Sequence, residues 1–99
     1  MEFSWSPEKA RRNLAKHGIS FEAATQVFAD PHVVIIEDSE DERGEMRYHA
    51  IGYGDAQLLL VVVFADRSGG DEEIIHIISV RKAGDYEYKT YARQFTKGD

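Results

Sequence analysis

Three arginines, Arg47, Arg67 and Arg81, each stand at the boundary of an apolar or strand-like run, and Glu45 lies two residues before the first. A guanidinium presents a planar fork of donors that matches phosphate oxygens. If the three converged at one end of a sheet, they could hold a phosphodiester and the extra negative charge of a pentacoordinate transition state. On a strand, Glu45 and Arg47 would share a face. A carboxylate there could take a proton from a ribose 2′-hydroxyl. In the plainer alternative, Glu45 and Arg47 pair with each other and the other arginines are solvated. Arg81 looks the most telling of the three, because it closes an apolar strand without filling a core or capping a helix.

Other chemistries have less support. The chain has no cysteine, which removes disulfides, thiolate zinc sites and cysteine nucleophiles. No glycine-rich phosphate loop precedes a helix, and no serine sits in a nucleophile-elbow pattern. The four histidines, His17, His32, His49 and His76, are isolated from one another. Glu45 with His49 could touch a metal, and His49 or His76 could serve a metal-dependent hydrolase. Neither pairing has recognisable ligand spacing, so no metal or other cofactor is expected.

The elements that must position these residues can be read along the chain. Phe3 and Trp5 alternate with polar residues, as in a short edge strand. Ser6-Pro7 reads as an N-cap and first helical position, opening a helix to about His17 that Gly18 ends. Its apolar face is Ala10 and Leu14. Lys9, Asn13 and Lys16 form an adjacent polar stripe that could meet phosphate or simply face water. Ser20 caps a second helix carrying Phe21, Ala24 and Phe28, and Asp30-Pro31 stops it.

Strands follow at Val33 to Ile36, Arg47 to Tyr53, Leu58 to Phe64 and Ile74 to Arg81. The third is apolar throughout, as a central strand would be. Short connections favour antiparallel pairing. From Asp85 onward, Tyr88, Tyr91, Ala92 and Phe95 fall on one helical face, which reads as core packing. The expected fold is α+β in a single domain, 1–99: two N-terminal helices, an antiparallel sheet of about four main strands, and a C-terminal helix.

With 99 residues, the chain can build one modest core. Its net charge of −6 argues against a generally basic nucleic-acid binder. The acid is concentrated, however. Glu37 to Glu45 holds six carboxylates against the single cation Arg43, and Asp71-Glu72-Glu73 adds three more. Outside these runs a locally positive cleft remains possible. Both runs read as solvated loops. The start lacks the apolar core of a signal peptide, and the longest apolar run, Leu58 to Ala65, is too short to cross a membrane. Cytoplasm is the expected compartment.

Read in order, the chain resembles the BrnT family. The resemblance rests on Trp5, Pro7, Lys9, Asn13, Lys16-His17-Gly18, Ser20-Phe21, Ala24, Phe28 and Asp30-Pro31. It continues through Gly44-Glu45, Arg47-Tyr48, Ile51-Gly52, the Leu59 to Val63 strand, Arg67, Ile77-Ile78-Ser79, Arg81-Lys82-Ala83, Glu87 and Tyr91. It implies a RelE-like fold and a toxin of a bacterial type II toxin–antitoxin system that cleaves RNA without a metal. It also implies a BrnA-like antitoxin partner with a ribbon-helix-helix part, through which alone the toxin would reach operator DNA.

The resemblance carries over Glu45, Arg47, Arg67 and Arg81 as candidate catalytic residues, and Lys82 and Trp5 as candidate RNA contacts; Lys16 joins them from the polar stripe. Tyr91 is a further candidate, although its helical neighbours suggest packing. The chain departs from the family pattern at His76, where arginine is common, at Val80, and after Ala83, where arginines are fewer. A second function therefore stays open: a binding module that pairs with an antitoxin in transcriptional autoregulation, with weak cleavage or none.

Overall fold

A computed structural model describes residues 1–54 and 57–96. Its strands are β1 (Glu2–Ser4), β2 (Val34–Glu40), β3 (Met46–Tyr53), β4 (Leu59–Asp66) and β5 (Ile74–Lys82). The helices are α1 (Pro7–His17), α2 (Phe21–Thr25) and α3 (Asp85–Ala92). A 3-10 turn, Gln26–Ala29, extends α2, and another, Arg93–Phe95, follows α3.

The sheet order is β1-β5-β4-β3-β2. β2 through β5 form the expected antiparallel set. The fifth strand, β1, pairs parallel to β5, so the sheet is mixed rather than purely antiparallel. Loop length could not reveal this pairing, since Phe3 and its partner Ile75 are joined by most of the chain.

Local chemistry fixes the helix ends. The Ser6 hydroxyl accepts the Lys9 N–H at 3.3 Å and the Ser20 hydroxyl accepts the Ala23 N–H at 3.0 Å. Gly18 has φ 72°, a left-handed conformation that costs a residue without Cβ nothing, and its N–H closes α1 on Leu14 O.

Two apolar clusters lie on opposite faces of the sheet. The larger joins Phe21, Ala24 and Val27 to Ala50, Leu60, Val62, Phe64, Ile75, Ile77 and Val80. The smaller joins Ile51, Leu59 and Val61 to Tyr91 of α3, with Val34, Ile36 and Ala83 packed around it.

Three expectations change. The acidic run is strand in its first half: β2 continues to Glu40, and only 41–45 form the turn into β3. There Asp41 Oδ1 accepts the N–H groups of Arg43 and Glu45, and Gly44 takes φ 84°. In α1 the inward residue is Asn13, at 7% exposure, whereas Leu14 is half exposed. The reason is the edge of β5. Asn13 Oδ1 accepts the Val80 N–H at 3.0 Å, and Nδ2 donates to Val80 O at 2.9 Å and Ile19 O at 3.1 Å. One amide thus pairs strand groups that β1 is too short to reach. Finally, Tyr91 is buried but Tyr88 and Phe95 are exposed, so the expected aromatic stripe enters the core at Tyr91 alone, with Phe95 lying against Tyr91 and His32 at the surface. Residues 97–99, the end of the expected terminal helical segment, lie outside the described residues.

Candidate active site

Strand alternation sorts the candidates by face. Ile51 and Val61 belong to the α3 side. Stepping by two along each strand puts Glu45, Arg47 and His49 of the β3 segment on that side too. So are Val63 on β4 and Arg67 just past its end, and Ser79 and Arg81 on β5. The β5 bulge near Ile78 keeps His76 there as well, directly opposite Ala65. α3 covers the Ile51–Val61 end of this face. Among the described residues, no helix packs over the other half.

That open half gathers Glu45, Arg47 and Arg67. Arg67 Nε and Nη2 donate to Glu45 Oε2 and Oε1, each at 3.1 Å, a side-by-side fork. The partner of Glu45 is therefore Arg67 rather than Arg47. The Arg67 hydrogen bonds hold the Glu45 carboxyl below the usual carboxylate range, and the same bonds raise Arg67. Arg47 has a looser contact, Nη2 to Asp41 Oδ2 at 3.9 Å, and its Nε has no partner among the described residues. Asp41 itself is held low, chiefly by the Glu45 N–H. Next along the face, His49 Nε2 lies 3.4 Å from Asp38 Oδ2.

Arg81 does not join them. β4 and β5 run antiparallel, so the end of β4 and the end of β5 fall at opposite ends of the sheet. Arg81 lies opposite Val61, six residues along β4 from Arg67. At ~3.3 Å per residue the two backbones stand ~20 Å apart. The expected convergence of three guanidinium groups is thus reduced to two. Arg81 has another partner: Nη1 and Nη2 donate to Glu87 Oε1 and Oε2 at 3.2 Å. Oε1 of Glu87 also accepts the Gly84 N–H at 2.7 Å, at the start of α3. These bonds keep the Glu87 carboxyl low, Arg81 contributing most. Arg81 therefore has the packing role that the sequence did not reveal.

Lys82 is exposed, and alternation turns it to the opposite face. Trp5 packs edge-to-face on Phe21 at a centroid distance of 5.9 Å, within the helix-side core. Lys16 lines an open groove of about 280 Å³ between α1 and the edge of β5, with Lys9, Arg12, Asn13, His17, Ile78 and Ser79. No carboxylate lines it, and Ser79 belongs to the open face as well. The Tyr91 hydroxyl donates to Asp30 Oδ2 at 2.6 Å, on the covered end. Glu45 and His49 do not meet at a metal site; among the described residues no three candidate ligands cluster.

Two residues were missed. Asp30, in the sequence only a helix stop, accepts three donors: the Tyr91 hydroxyl, the Tyr53 N–H at 2.9 Å and the His32 N–H at 2.8 Å. Its position before Pro31 was the available signal. Ser4, whose Oγ lies 2.8 Å from His76 Nδ1, had no signal at all, because the contact depends on the parallel β1–β5 pair.

This α+β fold thus carries two guanidinium groups and a carboxylate on an open sheet face. A crystal structure of the Brucella abortus ribonuclease toxin BrnT is similar to it, with a TM-score of 0.64 and 25% identity. The match covers 86% of this chain and 99% of that one. Residues 5–87 match the family model described as "Ribonuclease toxin, BrnT, of type II toxin-antitoxin system", and the chain belongs to the BrnT family. No curated protein sequence matches it significantly. No helix among the described residues is long and apolar enough to cross a membrane.

Proposed function

We propose that this chain is a toxin that cleaves RNA on the open half of the α3-side sheet face, without a metal. The ribose 2′-hydroxyl attacks the adjacent phosphorus, leaving a 2′,3′-cyclic phosphate and a 5′-hydroxyl. Arg47 and Arg67 hold the phosphate and its developing charge. Glu45 acts as base or orients one. The carboxylate-free groove at Lys9 and Lys16 receives the flanking backbone where the strand crosses the β5 edge at Ser79. A BrnA-like antitoxin with a ribbon-helix-helix part is the partner, and operator DNA is reached only through it. The reading rests on a family of ribonuclease toxins and, above all, on the Glu45–Arg67 fork beside Arg47 on an uncovered face.

Induced expression should arrest bacterial growth, with relief by the antitoxin. Purified toxin should cleave RNA equally well in excess EDTA, giving cyclic-phosphate ends. Cleavage lost in EDTA and restored by a divalent ion would rule the mechanism out. One observation favours the second reading, a binding module: both Glu45 oxygens are occupied by Arg67, and Asp38 and Asp41 lie beside the site. Normal growth at high levels of soluble protein would select it.

A further inference from the structure

We infer that His76 is the general base of this site, with Ser4 as its positioning residue; the inference rests on the ribonuclease reading and names the base that reading leaves open. His76 lies on the open half of the face, opposite Ala65 on β4. Arg67 is two residues further along, just past the end of β4 and on the same face. Diagonal neighbours of this kind stand ~7–8 Å apart between backbones, within reach of long side chains. Glu45, locked to Arg67, is the adjacent carboxylate.

Two geometric facts favour the imidazole over Glu45. Both Glu45 oxygens accept from Arg67, and a carboxylate so held is a weak base. His76 uses only one nitrogen: Nδ1 lies 2.8 Å from Ser4 Oγ, and no hydrogen bond to Nε2 is formed among the described residues. With Nδ1–H donating to Ser4, the lone pair is on Nε2. The same bond persists when the ring is protonated, so Ser4 suits both states of a base.

The charges facing His76 are Arg67 from the end of β4, Glu45 before β3 and Lys9 from α1. Partial burial lowers its pKa first, Arg67 and Lys9 lower it further, and Glu45 opposes them. The ring is therefore neutral at pH 7. In the step, Nε2 takes the 2′-hydroxyl proton and the 2′-oxygen bonds to phosphorus. The bond from phosphorus to the 5′-oxygen breaks, and its electron pair leaves on that oxygen, which takes a proton from solvent water. The imidazolium then returns its proton to solvent.

The test compares wild type, His76→Gln and Ser4→Ala for cleavage rate against pH, with thermal unfolding run on each. The wild-type rate should rise with pH through a midpoint below the ordinary imidazole value of 6.5. His76→Gln should lose at least ~100-fold in rate, together with that limb, while staying folded. Ser4→Ala removes the acceptor that favours imidazolium, so its limb should move to lower pH. A 2′-deoxy oligonucleotide, which cannot be cleaved, should shift the His76 ring resonances by NMR even if a variant misfolds. Full rate and an unchanged limb in folded His76→Gln, or ring resonances indifferent to the oligonucleotide, would remove His76 and leave the ribonuclease reading standing. A wild-type protein that binds its antitoxin yet yields no cyclic-phosphate ends would overturn that reading, and the base with it.

Discussion

Arg81→Ala should weaken the fold rather than the chemistry. Arg81 is 41% exposed and Glu87 14%, and they share two hydrogen bonds at 3.2 Å. A partly exposed pair of this geometry contributes ~1 kcal/mol. In a chain of this size, that lowers the melting temperature by roughly 4–8 °C. Glu87→Ala also strips the acceptor from the Gly84 N–H and should cost about 2 kcal/mol. Adding Arg81→Ala to Glu87→Ala should then cost almost nothing, because the two act as one unit.

The pH dependence has a definite sign. Glu87 is depressed in the folded state, so its stabilisation is complete above the unfolded carboxylate value of ~4.3 and is lost as pH falls through the folded value. Arg81→Ala should shrink the difference in stability between pH 7 and the acid limit. Thermal and urea unfolding across that range read the stability, and cleavage of a labelled RNA reads the activity, expected within several-fold of wild type. An Arg81→Ala protein with wild-type melting and a hundredfold loss of cleavage would refute the reasoning and move the site to the α3 end.

Asp30→Ala strands the buried Tyr91 hydroxyl and leaves the exposed Tyr53 and His32 N–H groups to water, and should cost ~2 kcal/mol by urea unfolding. Burial alone would raise the Asp30 carboxyl, but Tyr91, Tyr53 and His32 outweigh it and hold it low, while Tyr91 is pushed up to about 12. Wild-type stability should therefore fall as acid protonates Asp30, and the loss should be smaller in Asp30→Ala. Asn13→Leu fills the same space but orphans Val80 N–H, Val80 O and Ile19 O, at a cost of ~2–4 kcal/mol; wild-type urea resistance in this variant would show that water replaces the amide.

The local elements were legible because their signals are local. Ser6-Pro7 and Gly18 bracket α1 at the expected residues, Ser20 opens α2, and the continuous apolar run marked β4 as central. What failed to show was set by distant partners. Asn13 sits on a polar stripe in the sequence, and only the unpaired edge of β5 makes it a core residue. Leu14 fits an apolar face that the sheet does not fill. Arg81 looked unpartnered because Glu87 reaches it only when α3 folds back on β5. In the site, Glu45, Arg47 and Arg67 could be chosen by residue type, but the pairing of Glu45 with Arg67 instead of Arg47 needed the β3–β4 register.

That register also explains which cations can act together. In an antiparallel hairpin the end of one strand lies beside the start of the next. The start of β3, the end of β4 and the start of β5 therefore meet, and Arg47, Arg67 and His76 come from three separate parts of the chain to one end of one face. The end of β5 goes the other way, to where α3 must be fastened. Position at a strand end therefore says little until its direction is known, and the same residue type stands on the open face at one end and fastens α3 at the other. The helices add to the division: α1 and α2 bury the opposite face, while α3 takes only half of this one. α3 and the 3-10 turn after it run across the strands at that far end, from Arg81 at the close of β5 to Tyr91 on Asp30 and Gln94 on His32 O, and so leave the Glu45–Arg67 fork uncovered.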